Sequence, residues 1–264
     1  MLEQITPLIL TYNEAPNIAR ALAGLSWAEE LVVLDSFSDD ETVAIAKSFA
    51  NVRVVQRVFD NHRNQWEFGM KETGLTTPWV LALDADYVVS SEFVAELKSL
   101  QPSTSTVGYR SQFVYCINGK KLRSGIYPPV TVLYRRDAAT YVQDGHTQRV
   151  ALQGTVEELR TPLMHDDRKS FRRWLQSQRG YTELEAEKLL AADPAQLELQ
   201  DRLRRWCIVV PPATFVYCLI VRGGVLDGWQ GFYYAFQRTV AELLLAVNLG
   251  RGFTRMNADV HSRY

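Results

Sequence analysis

The chain is poor in the features that mark specialised classes of protein. Its three cysteines, Cys116, Cys207 and Cys218, are odd in number and scattered across 264 residues. That excludes a disulfide scaffold, shows no metal-ligand spacing, and suits a reducing compartment. An excess of charge of one sign is missing too. The 29 Lys and Arg against 30 Asp and Glu leave a formal net charge of -1, which argues against a dedicated nucleic-acid binder. The longest charge-free apolar stretch, "WCIVVPPATFVYCLIV" from Trp206 to Val221, is 16 residues with a Pro-Pro pair inside. An ordinary spanning helix needs about 20. The opening "MLEQITPLIL" carries an acid where a secretion signal carries bases, so a cytoplasmic location is expected. Repeats and low-complexity tracts are absent.

What remains is an ordinary globular composition, 47% hydrophobic and 22% charged, with enough chain for one large domain or a domain with an appended subdomain. The first hundred residues alternate between apolar strands and helices. "TPLILTY", "ELVVLDS", "VRVVQRV" and "WVLALDA" read as strands, and "EAPNIARALAGL", "DDETVAIAKSFA", "HRNQWEFGMKETG" and "SSEFVAELKSL" as helices. This alternation predicts an α/β fold with a mostly parallel sheet covered on both faces. From about residue 103 the pattern becomes a hairpin turning at Asn118-Gly119 and a further strand, "VTVLYRR". A long basic helical stretch, "RKSFRRWLQSQRGYTELEAEKLLAA", then runs to Asp193-Pro194. The expected division is residues 1–165 as the sheet domain and 166–264 as a helical extension.

Ligands of such sheets bind beyond the carboxyl ends of the strands, and polar residues collect there. Strand one runs into Thr11, Tyr12, Asn13 and Glu14, and strand two into Asp35 and Ser36. Arg63 and Asn64 follow strand three, and strand four ends in Asp84 and Asp86. Two aspartates two apart on extended chain point to one side, roughly 7 Å apart. A Mg²⁺ or Mn²⁺ ion takes only one or two protein carboxylates and completes its shell with water and phosphate oxygens. The pair therefore suits a metal that stabilises a departing diphosphate. The bland reading is two solvated carboxylates capping the helix that follows.

In their order and spacing, "TYNEAPNI", "VVLDSFSDDET", "HRNQW" and "LALDADY" resemble the nucleotide-sugar domain of family 2 glycosyltransferases, whose fold is called GT-A. "GHTQRV", "HDDRKSFRRWL" and "RGGVLDGWQGFYYAFQR" resemble the bacterial branch that builds lipopolysaccharide core and related surface glycans. The resemblance implies an inverting hexosyltransferase using a nucleotide sugar, a UDP-sugar by family expectation, and a glycan or lipid-linked acceptor. It implies that Thr11 and Tyr12 line the base, Glu14 meets the ribose, and Asp35 hydrogen-bonds the base. Asn13 and Ser36 would belong to the same donor pocket, and Arg63 and Asn64 would face the donor. Asp84 would touch ribose or metal and Asp86 would hold the metal, with His165 from a late loop as a further ligand. The family places its base beyond the D-x-D strand, where Asp144 is the first candidate and His146 the second. One departure stands out: the family commonly has glycine where this chain has Phe37, which makes that loop bulkier.

Other readings stay open on the sequence. A sugar-phosphate nucleotidyltransferase would want a glycine-rich, basic first loop, which "LTYNEAPN" does not supply. A catalytically inactive, membrane-associated scaffold of the same fold is the non-enzyme alternative. The aromatic, Arg-flanked segments after residue 202 read either as a buried helical subdomain or as a peripheral attachment to anionic lipid at the cytoplasmic face of the inner membrane.

Overall fold

The computed structural model describes residues 1–144, 147–193, 195 and 197–261, and the side chains of 143–148, 200 and 253–264 are outside the description. The chain divides into two compact units. The first comprises Met1–Lys121, Tyr127–Gln143 and Gln148–Lys169; the second Leu122–Ile126, Asp144–Thr147 and Ser170–Tyr264.

The first unit begins with the expected alternation: β1 (Ile5–Thr11), α1 (Ile18–Ala23), β2 (Leu31–Asp35), α2 (Thr42–Lys47), β3 (Val52–Gln56), α3 (His62–Lys71) and β4 (Trp79–Asp84). After β4 come β5 (Tyr87–Val88), α4 (Ser91–Ser99), β6 (Thr106–Ser111), β7 (Phe113–Ile117), β8 (Lys120–Lys121) and β9 (Val130–Arg135). The strands β10 (Ala139–Asp144), β11 (Thr147–Leu152), β12 (Thr155–Glu158) and β13 (Leu163–His165) complete the β structure. The main sheet has seven strands in the order β12-β6-β9-β4-β1-β2-β3. β4, β1, β2 and β3 are parallel, and β9 runs antiparallel to both β4 and β6. The sheet is therefore parallel where strands alternate with helices and reverses where the sequence pattern changes.

Period-two alternation gives each central strand two buried faces. Ile9, Val33 and Leu81 pack with Ile18 and Leu22 of α1 and Phe93 and Leu97 of α4. Their neighbours Leu8, Val32 and Val80 pack on the opposite face with Trp66 and Met70 of α3. α3 approaches closely at Gly69, where an added Cβ would lie 2.7 Å from the Leu8 side chain. In the first unit α3 and α4 carry side-chain caps, Asn61 accepting from Asn64 N and Ser90 from Phe93 N. The hairpin turn is where expected, with Asn118 at φ 51° and Gly119 at φ 81°.

A small second sheet positions the site. Its order is β5-β13-β7-β8, and β13 pairs antiparallel with β5, placing His165 opposite Tyr87 and Met164 opposite Val88. Residues from late in the chain are thereby laid beside the turn that follows β4.

The second unit contains α5 (Phe171–Ala191), α6 (Leu199–Arg204), α7 (Val210–Val216) and the 33-residue α8 (Trp229–His261). α5 starts later than the basic sequence pattern predicts, because Ser170 caps it by accepting from Arg173 N. Arg168 and Lys169 thus precede the helix instead of forming its first turn. The Pro-Pro pair opens α7 at its first positions rather than breaking it. Leu189 of α5 packs with Leu245 and Leu249 of α8. Arg238 and Glu242, which seem to interrupt the apolar character of α8, are half-buried or buried and share an ion-pair cluster with Arg204. Asp227 is buried and accepts from Arg123 N, Ser124 N and Ser124 Oγ. Many large apolar side chains of this unit face outward, among them Trp206, Ile208 (89% exposed), Ile220, Val221, Leu226 and Trp229. Among the described residues, no helix is long and apolar enough to cross a membrane.

Candidate active site

The tips of β1 and β2 meet in a polar loop cluster. Asp35 is wholly buried, and its oxygens accept from Thr11 Oγ1 (3.1 Å), Ser38 N (2.9 Å), Ser38 Oγ and Gln56 Nε2 (3.0 Å). This carboxylate builds the loop. Ser38 Oγ in turn accepts from Asn13 N at 2.8 Å, and Asn13 Oδ1 accepts from Asp39 N at 2.9 Å. Asn13 has a positive φ of 55°, which asparagine tolerates better than most residues. Tyr12 lies at the same tip, 50% exposed. Ser36 N donates to Thr11 O, and Ser36 Oγ accepts from Gln65 Nε2 at 3.1 Å.

Phe37 lies between Ser36 and Ser38 with φ 59° and its ring 53% exposed. The loop therefore keeps a glycine-like backbone and turns the larger side chain outward, which resolves the bulk expected at this position. Arg63 and Asn64 occupy the exposed first turn of α3, where the Asn64 side chain donates to Asp60 Oδ2 at 2.8 Å.

The acidic residues gather at the end of β4. Asp84 is its last residue, and Asp86 lies in the turn to β5. The two are not successive teeth of one strand. Their surroundings are instead fixed by the β5–β13 ladder and by a hydrogen bond from Asp166 N to Asp86 O at 3.0 Å. His165 Nε2 lies 3.2 Å from Asp86 Oδ2. The imidazole is surrounded by the rings of Tyr87, Phe113, Tyr115 and Tyr127, with centroids 4.8 to 6.5 Å away. Tyr87 also hydrogen-bonds Asp84.

Burial and proximity separate the two aspartates. Burial, and then the Asp86 charge, raise Asp84 to a pKa of about 6. Burial acts the same way on Asp86, but the charge and hydrogen bond of His165 outweigh it, leaving Asp86 at about 2. Burial depresses His165, yet Asp86 and the other nearby acids carry its pKa above the ordinary value. Two buried polar atoms of this centre, Asp86 Oδ1 and His165 Nδ1, find no hydrogen-bond partner among the described residues. An unpaired oxygen on a buried carboxylate is costly and leaves a position where a cation fits. Among the described residues no three metal-ligating side chains already converge on one point. A Mg²⁺ or Mn²⁺ ion there would draw the rest of its shell from water and phosphate oxygens.

Three residues join this centre that sequence reasoning did not assign to it: Asn17, Asp167 and Lys169. Lys169 Nζ lies 2.6 Å from Glu14 Oε1 and 3.7 Å from Asp167 Oδ2. Asn17 Nδ2 donates to Glu14 Oε2 (2.8 Å) and to Asp167 Oδ1 (2.9 Å). Burial raises Glu14 to about 7 against the opposing pull of Lys169. The available signal was the polar run "HDDRKS", whose basic residues were read into the following helix. Asp144 closes β10, but its side chain lies outside the described residues, as does His146 altogether.

Residues 8–139 match the model of "Glycosyl transferase family 2", half of the chain, and the chain belongs to that family. A protein of Rickettsia bellii called "Uncharacterized glycosyltransferase" is 30% identical over 145 residues, 53% of this chain and 48% of that protein. With a Rickettsia felis relative of the same description the chain shares 98 residues at 35% identity, 37% of this chain and 34% of that protein. The chain thus spans a third to about half of the length of these curated relatives. "Lipopolysaccharide core biosynthesis glycosyltransferase LpsC" of Rhizobium meliloti is 24% identical over 93% of this chain and 91% of its own. Among solved structures, S. aureus TarS 1-349 in complex with UDP-GlcNAc is similar at 13% identity and a TM-score of 0.48, covering 94% of this chain and 91% of that one.

The left-handed backbone at Phe37 predicts a specific ordering of variants. Phe37→Val, with a branched Cβ at positive φ, should lose ~1–3 kcal/mol of stability. Phe37→Gly should stay within about 1 kcal/mol of the parent, since relief of strain is offset by a more flexible unfolded chain. Urea unfolding of the two variants measures the order.

Proposed function

We propose that the protein is an inverting, divalent-metal-dependent glycosyltransferase that moves a hexose from a nucleotide sugar, a UDP-sugar, to a glycan or lipid-linked acceptor of cell-surface polysaccharide or lipopolysaccharide. Family membership supplies the sugar transfer. The observation that carries the finer reading is the buried Asp86–His165 pair, with one unpaired oxygen and one unpaired nitrogen, at the end of a central strand. The similarity to LpsC over nearly the whole chain supports the acceptor class.

In this reading Thr11, Tyr12, Asn13, Asp35 and Ser36 form the base side of the donor pocket, with Asp35 meeting the base and also fixing the loop. Glu14 meets the ribose, and Arg63 and Asn64 face the donor from α3. Asp84 and Asp86 would hold Mg²⁺ or Mn²⁺, which when bound would offset the charge of the departing diphosphate; His165, proposed from the sequence as a further ligand, instead lies against Asp86. His165 keeps Asp86 ionised and oriented, and the rings around it keep water from the imidazole. Tyr87 holds Asp84 by its hydroxyl. Asp144 takes the proton of the acceptor hydroxyl, with His146 as the second candidate.

The outward apolar side chains of α7, the turn after it and the start of α8 support peripheral contact with a membrane. Of the five arginines between residues 202 and 241, Arg204 and Arg238 pair with Glu242 and Arg202 and Arg222 are exposed, while Asp227 is buried on backbone amides. An exposed face that combines aromatic, aliphatic and basic groups suits an anionic leaflet.

Three outcomes test this reading. UDP should raise the thermal midpoint more with Mn²⁺ than without it, and Asp86→Asn should remove that Mn²⁺-dependent increment and lower turnover by at least a hundredfold. Asp144→Asn should abolish transfer while UDP still binds; turnover within tenfold of the parent would remove Asp144 from the mechanism. The protein should co-sediment with phosphatidylglycerol-containing vesicles more than with phosphatidylcholine vesicles. The excess should fall in high salt, and Ile220→Ser with Trp229→Ser should reduce it severalfold.

A further inference from the structure

Among the described residues Lys169 is the one ammonium group placed among the acids of the centre, and its surroundings separate two possible jobs. One is to fasten the segment 165–169 over the tips of β1 and β4. The other is to balance charge. The fastening is accomplished by other groups. Asp166 accepts from Arg20 Nη1 (2.8 Å), from Arg168 Nε and Nη2 (3.0 and 2.8 Å) and from Gly119 N (3.1 Å). Arg20 Nη2 donates to Asp166 O at 2.9 Å, and Arg168 N donates to Asn17 Oδ1 at 2.8 Å. Asn17 also grips Glu14 and Asp167 through its amide nitrogen. The acids are therefore anchored independently of the ammonium group, which reaches them on a flexible four-carbon stem.

The charge ledger points to the second job. Glu14, Asp84, Asp86 and Asp167 bring four nominal negative charges, against which stand Lys169 and the imidazole of His165. Lys169 feels Glu14, Asp86 and Asp167 together, and its pKa is raised although burial alone would lower it. A divalent cation arriving at Asp86 meets a positive charge already in residence. A bound diphosphate reverses the balance by adding negative charge beside the same ammonium.

We propose that Lys169 is the resident counter-ion of the acidic centre: it holds Glu14 in the empty site, opposes binding of a divalent cation on its own, and turns to the diphosphate once donor and metal are present together. This rests on the metal and donor site proposed above and adds an ordering to it, with metal alone binding weakly and the metal–nucleotide pair binding well. A lysine suits the exchange because its ammonium is a compact charge with rotatable donors, whereas arginine's planar fork favours fixed, bidentate contacts. The segment can stay fastened while the ammonium moves, since Asp166 and Asn17 hold it.

The test compares Lys169→Gln, Lys169→Arg and the parent, using Mn²⁺ alone by electron paramagnetic resonance and UDP at saturating Mn²⁺ by calorimetry. Even with water-like screening, one unit charge about 7 Å from a divalent ion changes its affinity roughly tenfold. Lys169→Gln should therefore bind Mn²⁺ alone about tenfold more tightly, and UDP with Mn²⁺ about tenfold more weakly. Lys169→Arg, which keeps the charge, should stay within about threefold of the parent for Mn²⁺ alone. A purely structural role would shift both affinities of Lys169→Gln downward together, with a lowered thermal midpoint, and that result overturns the proposal. Unchanged Mn²⁺ affinity in Lys169→Gln, with the parent binding Mn²⁺, overturns it while leaving the metal-dependent reading intact. A parent that binds no Mn²⁺ with or without UDP overturns both.

Discussion

Carboxylates at the mouth of a sheet repel one another and resist burial, and the compensation of that repulsion organises the site. Asp84 and Asp86 stand at the end of a strand whose other residues are wholly apolar. Glu14 and Asp167 join them from opposite ends of the first unit's sequence. The answering groups, His165 and Lys169, come from one short stretch that β13 lays alongside β5. Removing one partner from such a buried set costs more than the pair gains on formation, because the remaining charge is left without its counterpart. The second sheet is small, and its importance lies in delivering that stretch.

The parts of the fold that depend on local pattern were legible in the sequence. The four alternating strands and helices and the turn at Asn118-Gly119 rest on periodicity or on one residue's backbone preference. The assembly of Asp86 with His165 was reachable only through resemblance, since nothing local indicates that residues 79 apart in sequence meet at the end of a ladder. Lys169 was hidden for a related reason. Arg168, Lys169, Arg172, Arg173 and Arg179 look alike in a helical projection, and only the cap at Ser170 separates the two that precede the helix from those within it.

Asp35 and Phe37 show how a functional loop departs from simple expectation. Asp35, a wholly buried aspartate on a sheet tip, accepts from Thr11, Ser38 and Gln56, and through Ser38 it sets the backbone at Asn13. Phe37 shows that a position that commonly carries glycine can keep its backbone conformation with an aromatic residue when the side chain has open space outside.

The family model ends at residue 139, whereas the cationic stretch opposite Asp86 begins at residue 165. A fragment limited to the recognisable family segment would contain the acids at the tips of β1 and β4 without the imidazole and ammonium that offset them. During synthesis, the same asymmetry means that the parallel strands emerge from the ribosome well before their electrostatic complement. The charge-balanced piece of the chain is therefore longer than its family signature, since both the sheet strand β12 and the residues that offset the acids lie beyond residue 139.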